Sequence, residues 1–86
     1  MRMVNVGYGN MAAGDRIVTV VSPEAAPIRR LIQDARDAGR AVDATCGHKT
    51  RAVLVMDSGH VILSPLLPET VAARMEERRV TEEGTV

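Results

Sequence analysis

The 86-residue chain is poor in aromatic residues and in cysteine, with Tyr8 as its one aromatic side chain and Cys46 as its one cysteine. A lone cysteine cannot form a disulfide within the chain, and it cannot supply a zinc site built on several thiolates. The scarcity of aromatic rings argues against a protein that stacks nucleic-acid bases on an aromatic platform. The apolar runs are too short to span a membrane and no signal peptide is evident, so we expect a cytoplasmic protein.

The chain also lacks an excess of charge of either sign. Its 11 Lys and Arg balance its 11 Asp and Glu, which argues against a strongly basic nucleic-acid-binding protein. The distribution is uneven, because residues 1–51 hold eight basic and five acidic side chains whereas residues 52–86 hold three and six. The two parts, at +3 and −3, could form one basic and one acidic face, or they could be ordinary solvated surface.

The residues that are present predict one small folded domain. Apolar residues make up 45% of the chain, mostly Val, Ala, Ile, Leu and Met, which excludes disorder by composition. We predict a single domain over residues 1–80 and a frayed tail over residues 81–86. A monomer of this size buries only a modest core, so we expect it to form an oligomer.

Hydrophobic patterning predicts an α+β fold. The predicted order β-β-α-β-β-β-α lacks a regular βα alternation and therefore indicates a small, mostly antiparallel sheet with two helices packed on it. The strands are predicted over Met3–Val6, Arg16–Val21, Ala41–Thr45, Arg51–Asp57 and Val61–Ser64, and the helices from about Pro27 to Ala38 and from Pro68 to about Arg79.

The entry to the first helix is complicated by two prolines. Ser22 and Pro23 are typical of a helix start, but Pro27 would then lack an amide in the second turn, so a tight turn at Pro23–Ala26 is predicted before the regular helix. Helical spacing then assigns an apolar stripe of Ile28, Leu31, Ile32, Ala35 and Ala38, a polar face of Arg29, Gln33, Arg36 and Arg40, and an inner side of the last helix with Val71, Met75 and the stem of Arg78.

The stretch "GYGNMA" (Gly7–Ala12) matches G-x-G-x-x-A, the pattern of a dinucleotide-binding turn. That turn needs a helix of about ten residues or more directly after it, so that the helix N-terminus faces the pyrophosphate. A strand is instead predicted to start at Arg16, which leaves no room for the helix. We therefore interpret the stretch as a loop that joins two strands, with Gly7 and Gly9 free to take positive φ.

The stretch "TCGHKTR" (Thr45–Arg51) holds the residues that first suggest chemistry. Cys46 and His48 could act as nucleophile and base, but such a pair needs a third residue to orient the histidine and an oxyanion-stabilising element, and no such element is evident. A metal site would have only Cys46, His48 and His60 as ligands. We therefore expect no enzymatic activity, no bound metal and no cofactor.

The same loop is better suited to holding an anion. Gly47 permits a tight turn that exposes backbone amides, and Lys49 and Arg51 supply positive charge. Thr50 offers a hydroxyl and His48 a further donor, which are groups that contact phosphates. This composition does not distinguish DNA from RNA, a nucleotide or a phosphoprotein, and a plain solvated turn stays open as an alternative.

Taken as a whole, the chain resembles a known family. The stretches "NVGYGN", "RIVTVVSPEAAPIRRLIQDARDAG", "VDAT", "GHKTRAVLVMDSGHVILS" and "PETVAAR" closely resemble the small RemA-type regulators, the bacterial extracellular-matrix regulatory proteins. The resemblance runs from about Val4 to Arg74, and the combination of the S-P-E-x-A-P-I, D-A-T and T-R-A-V-x-x-M-D-S motifs is specific.

The resemblance implies a non-enzymatic DNA-binding regulator of transcription, which in bacilli activates biofilm matrix genes. It also implies a closed homo-oligomeric ring that presents repeated basic sites to duplex DNA at the nucleoid. A ring that contacts other proteins without DNA, or a nucleotide-binding domain, stays open as an alternative. The implied DNA contacts are Arg16, His48, Lys49 and Arg51, to which we add Arg29. Pro27 is assigned to subunit arrangement and Gly47 to loop geometry.

The chain departs from the resembled family in the loop itself. The family's loop typically reads Tyr-Gly-Arg-Arg-Thr-Arg, whereas this chain has Cys46, Gly47, His48 and Lys49 before Thr50 and Arg51. Arginine pairs phosphate with two hydrogen bonds, lysine acts as a point charge, and histidine is charged only when protonated. We therefore predict weaker and more pH-sensitive DNA binding than in relatives with the arginine pair.

Overall fold

Six strands and two α-helices make up most of the chain in a computed structural model, which describes residues 2–84 and the side chains of residues 2–76. The strands are β1 (Met3–Gly7), β2 (Asn10–Ala13), β3 (Ile17–Val21), β4 (Ala41–Asp43), β5 (Ala52–Met56) and β6 (Val61–Ser64), and the helices are α1 (Ala26–Asp37) and α2 (Pro68–Gly84).

The strands form two sheets. A four-stranded sheet has the order β3-β5-β6-β4, and β1 and β2 form a separate antiparallel hairpin. All neighbours in the larger sheet are antiparallel except β4 and β6, which run parallel. The predicted α+β class with mostly antiparallel strands and two helices is therefore confirmed, with β5 as a central strand.

Two details of the predicted topology were wrong. There is an additional strand, β2, and there are two sheets rather than one. The sequence of β2, "NMAA", contains no β-branched residue and carries little intrinsic strand preference. It forms a strand because it pairs with β1 across a two-residue turn and buries Ala12, which is 4% exposed.

The four-stranded sheet buries side chains on both faces. Along β5, Val53 points to the face that carries α1, and its neighbour Leu54 points to the face that carries the hairpin and α2. Both side chains are 0% exposed, which explains why β5 is an almost continuous apolar run. The sheet therefore lies between α1 on one side and the hairpin with α2 on the other.

A buried hydroxyl joins the hairpin to the sheet. The Ser64 Oγ, at the end of β6, donates to the carbonyl oxygen of Val6 at 2.6 Å and accepts the Leu66 amide at 3.1 Å. Val6 and Ser64 are at most 1% exposed, so these bonds satisfy polar groups that water does not reach. The position of the hairpin on the sheet is fixed by these bonds as well as by apolar packing.

Helix α1 follows the predicted pattern with small shifts. A turn over residues 23–25 precedes it, Pro27 lies in its first turn, and its apolar stripe packs on the sheet through Ile28, Leu31, Ile32 and Ala35. Ser22 does not cap the helix, because the N-cap position is Ala25, and the Ser22 hydroxyl bonds to the Glu24 carboxylate. Ala38 is exposed, so its predicted place in the stripe was wrong.

Helix α2 is longer than predicted. It continues past Arg79 to Gly84, so residues 81–84 extend the helix, while residues 85 and 86 lie outside the described residues. Val71 is buried and Met75 packs against the core, as predicted, whereas the side chain of Arg78 lies outside the described part of the chain. Within residues 2–84, no helix combines the length and the apolar character needed to cross a membrane.

Candidate functional site

The basic loop (residues 45–51) connects β4 to β5 through a tight turn. Cys46 and Gly47 both take positive φ, 54° and 83°, and the His48 amide donates to the Thr45 carbonyl at 2.9 Å. Positive φ at both central positions is the feature of a type I′ turn. The turn therefore has the tight geometry that Gly47 predicted, and residues 48–51 lead from it into β5.

The carboxylate of Asp43 anchors the start of the basic loop. Its Oδ1 accepts the Thr45 hydroxyl at 2.5 Å and the Thr45 amide at 2.9 Å. These two hydrogen bonds, with a smaller contribution from the charge of Arg36, lower the pKa of Asp43. Because Thr45 is only 3% exposed, the carboxylate satisfies two donors that would otherwise be costly to bury.

A second turn of the same kind joins β1 to β2. Its central residues Tyr8 and Gly9 have φ values of 51° and 77°. The Gly7 amide donates to the Asn5 Oδ1 at 2.8 Å, and the Asn10 side-chain amide donates to the Gly7 carbonyl at 2.9 Å. This second tight turn, which we call the tyrosine turn (residues 7–10), is thus held by side chains on both of its strands. It also rules out a dinucleotide-binding helix after the glycines.

The tyrosine turn approaches the sheet closely at Gly7. A Cβ at this position would lie 2.7 Å from the Pro65 Cγ, closer than real Cβ contacts. The φ of Gly7 is also positive, at 121°, a conformation that other residues rarely adopt. Only glycine therefore allows the hairpin to lie against the Pro65 segment.

The two turns meet through Tyr8 and His48. Their rings stack with centroids 5.1 Å apart and an angle of 23° between planes, and the Tyr8 hydroxyl lies 3.0 Å from the His48 Nδ1. In the described part of the chain, Tyr8 and Cys46 are the only non-glycine residues with positive φ. Backbone strain of this kind costs free energy and is concentrated at functional sites, so its location in two touching turns marks this place as a candidate site.

The charged residues of the basic loop are exposed. Lys49 and Arg51 line a cleft of about 320 Å³ in which Glu24 and Glu69 also lie. Neither basic residue forms an ion pair with another residue that the structure describes, so both charges are available to a partner. The Arg51 amide donates to the Ser64 carbonyl at 2.8 Å, which fixes the backbone from which its side chain extends.

Arg16 is not part of this cluster within one subunit. It lies at the end of the sheet where β5 finishes, and its guanidinium bonds to Asp57 at 3.3 Å while its carbonyl accepts the Asp57 amide at 2.9 Å. Arg51 precedes the other end of β5, so the five residues of that strand separate them by about 17 Å or more. The predicted DNA contacts therefore occupy two separate places on a subunit.

Arg29 and Pro27 lie nearer to the basic loop. Val21, shortly before helix α1, pairs with Val53 next to the loop end of β5. Pro27 and Arg29 lie in the first turns of α1 with exposed side chains. Among the described residues, the Arg29 side chain forms no hydrogen bond or ion pair with the loop.

The geometry does not assemble the alternative metal and catalytic sites. His60 lies in the turn between β5 and β6, at the opposite end of the hairpin from the basic loop, and its Nδ1 is 2.7 Å from the Ser58 hydroxyl. His48 contacts Tyr8 rather than an orienting carboxylate. Within the described residues, no group of three or more His, Cys, Asp or Glu side chains could hold a metal ion.

Sequence reasoning did not include Tyr8, Asn5 and Arg74 in the site. The guanidinium of Arg74, on α2, donates to the Asn5 carbonyl at 3.1 Å, next to the tyrosine turn. Tyr8 and Arg74 also line one groove of about 300 Å³. The glycines on both sides of Tyr8 indicate a tight turn, but nothing in the sequence indicates that this turn would contact a loop 40 residues away.

Fold and site together define a small α+β domain that displays a preorganised, exposed basic loop. The chain belongs to the RemA-like family, since the family model described as "Extracellular matrix regulatory protein A-like" matches residues 3–75. This match confirms the resemblance found in the sequence.

Relatives from several bacteria have similar chains of nearly the same length. A Geobacillus kaustophilus protein named "Putative regulatory protein GK1166" is 61% identical over 75 residues, which cover 87% of this chain and 86% of that protein. Proteins of Bacillus cytotoxicus and Bacillus mycoides, also bearing the name "Putative regulatory protein", are each 54% identical over 85 residues, covering 98% of both chains.

Proposed function

We propose that this chain is a DNA-binding regulator of transcription that forms a closed ring of identical subunits, acts at the nucleoid in the cytoplasm and has no enzymatic activity. The observation that carries the proposal is the preorganised basic loop, in which exposed His48, Lys49 and Arg51 follow a strained turn. The name of the family and the regulatory names of the relatives support a regulatory role, with extracellular-matrix genes as the proposed targets.

The chemistry of the loop suits the DNA backbone. Phosphate oxygens accept hydrogen bonds from lysine, arginine and imidazole groups and from exposed backbone amides, and such contacts position a protein on DNA without reading its sequence. No helix-turn-helix precedes or follows the loop in the described residues. We therefore expect recognition to depend on DNA shape and on the number of contacts more than on hydrogen bonds to base edges.

A ring explains how a chain of zero net charge can bind DNA. One subunit offers only a few basic groups, which would bind weakly, but linked copies act at a high effective concentration and multiply the contacts. Exposed apolar residues support burial between subunits. Val18 on β3 and Val42 on β4 are 65% and 47% exposed at the two edges of the sheet, and Met3 and Met11 on the hairpin are 40% and 50% exposed.

Direct binding measurements test the proposal. We expect the wild-type protein to elute and scatter light as a discrete oligomer and to shift the anisotropy of a fluorescent duplex at low salt. A plot of log K against log salt should be linear, with a negative slope of about 0.9 for each phosphate neutralised. A discrete oligomer that does not bind duplex DNA even at low salt would contradict the DNA-binding role.

One observation favours a second candidate, a ring that contacts proteins instead of DNA. Glu24 and Glu69 line the same cleft as Lys49 and Arg51, and their carboxylates would repel phosphates close to them. Substitution of both glutamates by glutamine separates the candidates. If the partner is DNA, the change strengthens duplex binding, and if the cleft serves a protein partner only, duplex binding stays absent in both forms.

A further inference from the structure

Tyr8 is an unusual side chain to find in solvent. It is the one aromatic residue of the chain, and it is 57% exposed at the tip of the tyrosine turn with φ at 51°. Exposing a ring and holding a bulky residue in the left-handed region both cost free energy. Neither cost is offset by core packing, so the placement points to a role outside the fold.

The turn beneath Tyr8 is rigidly supported. Asn5 and Asn10 bond to the amide and carbonyl of Gly7, and the Arg74 guanidinium bonds to the Asn5 carbonyl. Gly7 also lies against Pro65 without space for a side chain. Tyr8 is therefore presented in a fixed position, which lowers the entropy lost when it binds a partner.

The chemistry of the contact indicates the partner. The Tyr8 ring stacks on His48, and its hydroxyl lies 3.0 and 3.2 Å from the two ring nitrogens. On a protonated imidazole both ring nitrogens are donors, so the hydroxyl can accept one N–H and keep its own hydrogen for a phosphate, to which the other N–H can also donate. Lys49 follows His48 directly, which adds positive charge next to this pair.

We propose that Tyr8 is a further DNA-contacting residue, whose hydroxyl donates to a backbone phosphate that His48 also contacts. This extends the interface from the basic loop to the tyrosine turn of the hairpin. The proposal rests on the proposed function, and it assigns Tyr8 a phosphate contact rather than a place between bases, because His48 covers one face of its ring at 5.1 Å.

Paired substitutions test the hydroxyl. Tyr8→Phe keeps the ring and removes only the hydroxyl, so we expect it to weaken duplex binding by at least about threefold, the effect of losing one hydrogen bond per site. Tyr8→Ala should weaken it further because His48 loses its stacking partner. Oligomer size and thermal midpoint should match the wild type in Tyr8→Phe.

A matched control is available in the other hydroxyl–histidine pair. Ser58→Ala removes a hydroxyl that lies 2.7 Å from the His60 Nδ1 and should leave DNA affinity unchanged. Equal losses in Tyr8→Phe and Ser58→Ala would overturn the proposal, because the effect would then not be specific to Tyr8.

A spectroscopic readout reports on the contact without any substitution. Because Tyr8 is the only tyrosine, 3-fluorotyrosine labels one position per subunit and gives one fluorine resonance. We expect this resonance to shift when duplex DNA is added. Suppose that the wild-type protein binds DNA and the Lys49→Glu/Arg51→Glu variant does not. An unmoved resonance together with normal affinity in Tyr8→Phe would then overturn the Tyr8 contact alone. A wild-type protein that does not bind DNA would overturn both proposals.

Discussion

His48 differs from its neighbours in the basic loop because an imidazole carries positive charge only when protonated. Its ring contacts Tyr8, and the cations Lys49 and Arg51 follow it in the loop. A phosphate bound next to the ring favours its protonated, positively charged form. DNA binding and protonation of His48 should therefore support each other.

The first prediction concerns the pH dependence that follows. Duplex binding should be tighter at pH 6 than at pH 8, since the charged imidazole attracts phosphate and histidines gain this charge over that range. His48→Gln should flatten the dependence, and His48→Arg should raise affinity at pH 8. The measurement is anisotropy at constant ionic strength. A steep dependence that survives in His48→Gln and disappears in His60→Gln would contradict this assignment.

The second prediction concerns Asp43 and the stability of the loop. Asp43→Ala removes the acceptor for two Thr45 donors and should reduce the free energy of unfolding by about 1–2 kcal/mol. Because folding lowers the pKa of this carboxyl, its stabilisation is present above the ordinary aspartate pKa and is lost as pH falls below about 4.

Urea denaturation at pH 7 and pH 3 measures both effects. Asp43→Asn serves as the control, because its side-chain oxygen can still accept hydrogen bonds but does not titrate. It should retain more stability than Asp43→Ala at pH 7 and lose less than the wild type between pH 7 and pH 3. Equal losses on acidification in the wild type and Asp43→Asn would show that Asp43 does not contribute.

At the scale of elements, the β1-β2 hairpin determines whether Tyr8 reaches His48. Its position depends on the close contact of Gly7 with Pro65 and on the bond from Ser64 to the Val6 carbonyl. The hairpin is therefore a docked element whose displacement would separate the two turns.

The third prediction is that Gly7→Ala disturbs this docking. The added Cβ would lie 2.7 Å from Pro65 Cγ, and alanine is strained at a φ of 121°, so we expect a loss of about 2 kcal/mol or more in unfolding free energy. Gly9→Ala is the control, because its φ is also positive but no atom lies within 4 Å of the added Cβ.

Thermal melts and fluorine spectra at Tyr8 distinguish the two variants. Gly9→Ala should be destabilised less, with Tyr8 in its wild-type environment. If both glycine variants lose the same stability, then the contact with Pro65 is not what holds the hairpin.

The elements that the sequence predicted well are those with strong local signals. The apolar run "RAVLVMD" identified β5 as a central strand, and Gly47 identified the tight turn of the basic loop. The helical stripe of Ile28, Leu31 and Ile32 likewise follows from local spacing. In each case the neighbouring residues alone determine the structure.

What the sequence did not predict depends on long-range contacts. Strand β2 has weak intrinsic preference and is stabilised by pairing with β1 and by burial of Ala12. The separation of Arg16 from the basic loop follows from the pairing of β3 with β5, and the contact of Tyr8 with His48 follows from hairpin docking. Local patterns carry no information on which distant segments pack together.

At the scale of the whole molecule, the basic groups occupy two places separated by the length of β5. The basic loop lies at one end and Arg16, paired with Asp57, lies at the other. A single subunit would offer each place only a few phosphate contacts. Our account therefore requires several subunits to act together, so that the sites repeat along the DNA.

The most direct test of this account is duplex binding by the variant Lys49→Glu/Arg51→Glu, measured by anisotropy with oligomer size measured by light scattering on the same samples. We predict that affinity falls by more than about tenfold, because each subunit loses two phosphate contacts and gains two repelling charges, while oligomer size stays the same. Arg30→Glu/Arg40→Glu, which makes the same change in net charge at residues outside the basic loop, should retain much more of the affinity. Wild-type affinity in the Lys49/Arg51 variant would contradict the central claim that the basic loop binds DNA.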